Sequence, residues 1–205
     1  MDERAHGLGR EGDYAGSKLG MWLFLLTEVF LFVGPLILYG VYRYRFSSGF
    51  AAASSGLSLR IGVLNTAVLL TSSLSMALSI AAVKRGKSGF TLLFLLITIT
   101  LGSLFLFNKY FEWSHEIASG VYPGGEALLE RPKGEVLFFG LYFFLTGLHG
   151  LHVFAGVCLL SVMSYSTATG GVNQEDFVRL ENAGLYWHLV DVVWVYLFPL
   201  FYLIR

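Results

Sequence analysis

The stretch MWLFLLTEVFLFVGPLILYGVYRY, residues 21–44, decides the fold. In twenty-four residues it carries one carboxylate, Glu28, and one basic side chain, Arg43, close to its end. A helix needs about 20 apolar residues to cross about 30 Å of hydrocarbon, so this stretch reads as a membrane span. Four more follow, roughly residues 57–83, 90–109, 136–165 and 183–204. Tyr and Trp gather at the ends, among them Trp22, Tyr39, Tyr44, Tyr110, Tyr165 and Tyr202, where rings with a polar tip suit the membrane interface. The reading is an all-α polytopic membrane protein: one domain over 1–205, five transmembrane helices in a bundle, and a polar N-terminal segment over 1–19.

Composition agrees. Of the 205 residues, 55% are apolar and 14% charged, outside the range of ordinary soluble domains. Lys+Arg 14 balance Asp+Glu 14, so no basic excess exists to hold nucleic acid. The single cysteine, Cys158, can build neither a disulfide nor a thiolate metal site within the chain, and as a free cysteine in an apolar run it is expected to be buried. Met1 to Lys18 is polar and Gly-rich and does not read as a signal peptide. The connections read as loops: Arg45 to Gly56, with Ala51 to Ser58 flexible; the basic turn Lys84 to Lys87; Phe111 to Glu135; and Ser166 to Asn182. Lys and Arg divide seven to seven between the two membrane sides, and the compact turn Lys84, Arg85, Lys87 favours an internal N-terminus.

An ionisable group inside a span costs several kcal/mol unless paired, so each is a functional candidate. These are Glu28, His149, His152, His188 and Asp191. His149 and His152 are three residues apart and share a helix face, as do His188 and Asp191. Three histidines with carboxylates admit a metal site, because imidazole and carboxylate suit iron, copper or zinc; hydrogen-bonded buried histidines are the alternative. Di-iron bundles draw on more glutamates than this chain has at membrane depth. A small transporter is a third reading, without visible inverted repeats. On the second span Asn65, Ser72, Ser75 and Ser79 fall on one face, the pattern of close helix contact in lipid. Gly140, Gly147, Gly150 and Gly156 on the fourth span are expected to pack against neighbours.

Several strings taken in order carry a resemblance: Trp22-Leu-Phe-Leu with Glu28; Asn65-Thr66 followed by Leu-Leu-Thr-Ser72-Ser73; Lys109-Tyr-Phe-Glu112-Trp113; Phe144-Leu-Thr-Gly147-Leu-His149-Gly-Leu-His152-Val; and Tyr186-Trp187-His188-Leu-Val-Asp191-Val-Val-Trp194. Together they resemble heme-copper oxidase subunit III, the cytochrome c oxidase subunit 3 family, in its short five-helix form. The resemblance touches every span. It implies a non-catalytic core subunit of a proton-pumping terminal oxidase in aerobic respiration, packed on subunit I beside subunit II, stabilising the core and supporting proton uptake and oxygen access. It implies no metal or heme in this chain: hemes and copper lie in the partner subunits, and structural phospholipid is the expected ligand. Cytochrome c is the implied electron donor to the complex, with a quinol oxidase or a nitric-oxide-reductase-associated homologue as the alternative. The implied location is the bacterial plasma membrane with a cytoplasmic N-terminus. Glu28, His149, His152, His188 and Asp191 then become a buried polar network, with Glu28 paired to His149 or His152, and Glu112 and Trp113 the outer edge of the third span.

Overall fold

The computed structural model describes the backbone of residues 2–204 and the side chains of residues 16–204. Among the described residues seven helices succeed one another: α1 (Asp2–Arg45), α2 (Ser47–Gly56), α3 (Leu59–Val83), α4 (Ser88–Ala118), α5 (Glu126–Leu129), α6 (Lys133–Ala168) and α7 (Val178–Tyr202). Five are long and apolar enough to cross a membrane, namely α1 over 16–45, α3, α4, α6 and α7. No strand occurs among the described residues.

The spans outrun the loops that surround them. Arg45 to Gly56 is not a loop, because Phe50, Ala53 and Ser54 fall on one helix face and bury it. At that contact a Cβ on Gly49 would lie 2.9 Å from the Gly134 Cα, so α2 sits directly on the first turn of α6. Helix α4 runs nine residues past the expected end at Lys109 and stops at Gly120, whose φ of +73° only glycine adopts freely. There the Gly120 and Val121 N–H groups donate back to the Ile117 and Glu116 carbonyls, closing the last turn. Gly86, at φ +67°, ends α3 in the same way and turns the chain into α4.

Helices α3, α4, α6 and α7 form the bundle core, with α3 along α4 and α7, and α6 along α4 and α7. By contrast α1 lies outside, against α6 and α7; its span is 11% buried, compared with 44% for α3 and α7. In lipid the hydrophobic effect does not hold helices together, so close approach and hydrogen bonds must. Asn65, Ser72, Ser75 and Ser79 are all buried, on the face α3 turns to its neighbours. Asn108 Nδ2 donates to Asn65 Oδ1 (2.9 Å), Ser75 Oγ to the Phe94 carbonyl (2.8 Å), and Trp187 Nε1 to Ser72 Oγ (3.1 Å).

Trp187 is the wedge of the bundle. Its ring is fully buried between Gly102 of α4 and Gly156 of α6, where added Cβ atoms would approach it to 2.5 and 2.8 Å. Gly147 accommodates Trp113 likewise. Gly140 and Gly150 have nothing within 4 Å of an added Cβ, so half of the glycine row on α6 faces outward instead of packing. Cys158 is also exposed, contrary to the burial expected of it: it lies on the outward side of α6.

The end of α7 is tied by side chains from other helices. Its last carbonyls have no partners within the helix. Tyr39 Oη of α1 donates to the Leu200 carbonyl, and Ser54 Oγ of α2 donates to the Phe201 carbonyl at 2.7 Å.

Gly102→Val is expected to destabilise the bundle by about 1–3 kcal/mol or more by driving a side chain into Trp187. Gly140→Ala, in open space, is expected to be tolerated; thermal unfolding of the two purified variants in one detergent checks the contrast.

Candidate functional site

The most concentrated polar chemistry lies near the end where α4 and α7 finish and α6 begins. Lys109 and Glu112, one helical turn apart on α4, face inward and are buried with 6% and 4% exposure. Lys109 Nζ donates to Glu112 Oε2 (3.1 Å), Tyr142 Oη of α6 (3.1 Å) and Tyr202 Oη of α7 (2.9 Å). Tyr202 Oη donates in turn to Glu112 Oε1 at 2.5 Å. All three ammonium donors are used. The cation also stands 4.8 Å from the Tyr142 ring centroid and 5.3 Å from that of Trp194, and each aromatic face adds attraction. A charge pair this deep survives only when hydrogen bonds complete it, and here two tyrosines from two other helices do so. Glu112 is thus not at an outer edge. Trp113 beside it is half-buried, its ring tilted against Phe143 with centroids 5.2 Å apart, and its indole N–H is unbonded.

The sequence-derived candidates divide into separate groups instead of one network. Glu28 of α1 meets His152 of α6, Oε2 to Nε2 at 2.7 Å. His152 Nδ1 lies 2.7 Å from the Leu148 carbonyl, which can only accept, so Nδ1 carries a hydrogen. The Glu28–His152 contact must therefore hold one proton, as imidazolium with carboxylate or imidazole with carboxylic acid. In both forms the pair is neutral overall, which is what membrane depth demands. It stitches the outlying α1 to the bundle, and Tyr186 Oη donates to the His152 carbonyl at 3.1 Å beside it.

His149, one turn away, does not join that pair. It is fully buried between the rings of Phe105 (5.4 Å) and Trp194 (5.3 Å), and neither ring nitrogen has a hydrogen-bond partner. On α7, His188 Nδ1 lies 2.7 Å from Ser73 Oγ of α3. The same hydroxyl interacts with Asp191, whose oxygens close no well-formed hydrogen bond. Among the described residues no three His, Cys, Asp or Glu side chains converge as a metal would need. The donors suit iron, copper or zinc by type but are distributed over different helix contacts.

A further ionic clasp closes the opposite, N-terminal face. Glu181 of α7 meets Lys18 of α1 (2.6 Å) and Lys84 after α3 (2.5 Å), and Asn182 Nδ2 donates to Ser17 Oγ at 3.0 Å. Helix α1 is therefore held at three depths: by Lys18 at one surface, by Glu28 within the membrane, and by Tyr39 near the other surface.

Comparison with known proteins matches residues 3–204 to the family described as cytochrome c oxidase subunit III. Subunit 3 of the cytochrome bo(3) ubiquinol oxidase of Pseudomonas aeruginosa is 30% identical over 204 residues, covering 97% of this chain and 92% of the relative. A probable quinol oxidase subunit 3 of Staphylococcus haemolyticus is 28% identical, covering 100% and 94%. The cytochrome c oxidase subunit 3 of Synechocystis is 33% identical over 197 residues, covering 96% and 79%.

Substitutions in the two ionic pairs check these assignments. Lys109→Met strands a buried carboxylate and is expected to cost about 3–5 kcal/mol, most of it recovered in the double variant Lys109→Met, Glu112→Leu; unfolding midpoints of the three proteins decide. Glu28→Gln is expected to leave assembly and oxygen reduction largely intact, because the amide can still donate to His152 Nε2. Loss of oxygen reduction in an assembled complex would instead make the Glu28 carboxyl a proton carrier.

Proposed function

The chain belongs to the cytochrome c oxidase subunit III family of heme-copper oxidases, and from that membership we propose that it is a non-catalytic supporting subunit. In this reading it packs on subunit I, beside subunit II, stabilises that core and supports proton uptake and oxygen access. The hemes and copper reside in those partners, and phospholipid fills the outer surface. The observation that carries the reading is how the polar groups at membrane depth are used. Lys109, Glu112, Tyr142 and Tyr202 satisfy one another across three helices, and Glu28 and His152 satisfy one another across two. They hold helices together, and among the described residues no three His, Cys, Asp or Glu side chains gather as metal donors.

Cytochrome c is the donor to the complex in this reading. A quinol oxidase is the second reading, since the relatives include the subunits 3 of two quinol oxidases, 30% and 28% identical to this chain. The subunit's own role is the same in both.

The location is a bacterial plasma membrane, with the N-terminus in the cytoplasm. Lys18, Lys84, Arg85 and Lys87 sit on the N-terminal face. Lys109, counted on the other face, is enclosed in the bundle and does not act as a loop charge, which tips an even division toward an internal N-terminus.

Extraction in mild detergent is expected to bring this chain out with heme-absorbing subunits. Stripping it from that complex is expected to leave initial oxygen reduction and shorten catalytic lifetime; full turnover with an undiminished lifetime refutes the supporting role.

A further inference from the structure

Between α1 and α7 a groove open to the membrane encloses about 530 Å³, a volume typical of small-molecule sites. Its walls are apolar, with Leu26 and Val29 on one side and Leu185 and Val192 on the other; the two polar side chains that border it are Trp22 and His188. His188 lies seven residues beyond Glu181 on α7, about 10 Å further into the membrane than the ionic clasp at 1.5 Å rise per residue.

The imidazole is half-buried, and Ser73 takes its Nδ1. The nitrogen left for the groove is Nε2, which makes no hydrogen bond among the described residues. A polar atom facing hydrocarbon is costly, and an acyl chain lying in the groove has nothing to offer it. A water-soluble ligand would meet apolar walls throughout. The occupant that answers both conditions is an apolar molecule dissolved in the membrane that carries a ring hydroxyl or carbonyl.

We propose that this groove binds a prenylated quinone or hydroquinone, its ring oxygen hydrogen-bonded to His188 Nε2 and its tail along α1. The Ser73 hydroxyl can donate to Nδ1 or accept from it, so Nε2 can donate to a quinone carbonyl or accept from a hydroquinone hydroxyl. Trp22 supplies an aromatic face at the groove wall for the ring to pack on. The site binds and orients; no electron transfer is assigned to it. This inference stands apart from the supporting role, because co-purification with heme-bearing subunits reads that role separately.

The test uses the intact complex in lipid nanodiscs with a photoreactive prenylated azidobenzoquinone, adducts being mapped by mass spectrometry. Adducts are expected on segments 22–29 or 185–192, suppressed by excess unlabelled quinone and not by oleate. His188→Leu is expected to lower their yield about tenfold, the loss of one hydrogen bond. Val192→Phe keeps His188, fills the groove from an outward-facing position and is expected to lower the yield similarly, so the proposal remains testable if His188→Leu fails to assemble. Adducts absent from both segments, oleate competing as well as quinone, or yields unchanged in the variants would overturn the proposal, the second outcome making this a groove for acyl chains.

Discussion

Lipid gives a buried charge no water to fall back on, and the pairing of Lys109 with Glu112 is the constraint around which this bundle is arranged. Either residue alone would be expelled from the interior or would neutralise. Together they need further partners, and the tyrosines that complete them come from α6 and α7. The ends of three helices are therefore brought to one point by hydrogen bonds that hydrocarbon cannot replace. Tyr39 and Ser54, by capping the α7 carbonyls, draw α1 and α2 to the same end.

The same logic recurs at other depths with weaker groups. Glu28 and His152 share one proton and fasten α1, a helix with little buried surface of its own. Glu181 accepts two lysines at the opposite face. Between these stitches the fit is steric: Trp187 occupies a space that only glycine at 102 and 156 leaves open. A bundle so fastened is firm inside and apolar outside, which suits a subunit embedded beside other oxidase subunits.

Much of this was legible in the residues. Span length alone located five membrane helices, and the serine row on α3 predicted its buried face. The family resemblance implied Glu28 paired with His149 or His152, and the fold selects His152. The Lys109 cluster was missed because Lys109 and Glu112 stand where an apolar run ends, and a run's end looks like the membrane surface. Their spacing of three, with tyrosines near the ends of two other spans, was the available signal. Helix α2 was missed because Ala, Ser and Gly give no strong period; its contact with Gly134 is a tertiary effect. Cys158 was misplaced because free cysteine prefers burial in water-soluble cores, whereas in lipid an outward thiol costs little.

The proposal to be tested is that Glu28, His152 and His188 join helices and that the polar groups within the membrane bind no metal in this chain. Metal analysis of this chain after separation from its partners tests it most directly. The account expects iron, copper and zinc all far below one per chain, in the parent and in His149→Ala alike. One metal per chain, lost on that substitution, would contradict it.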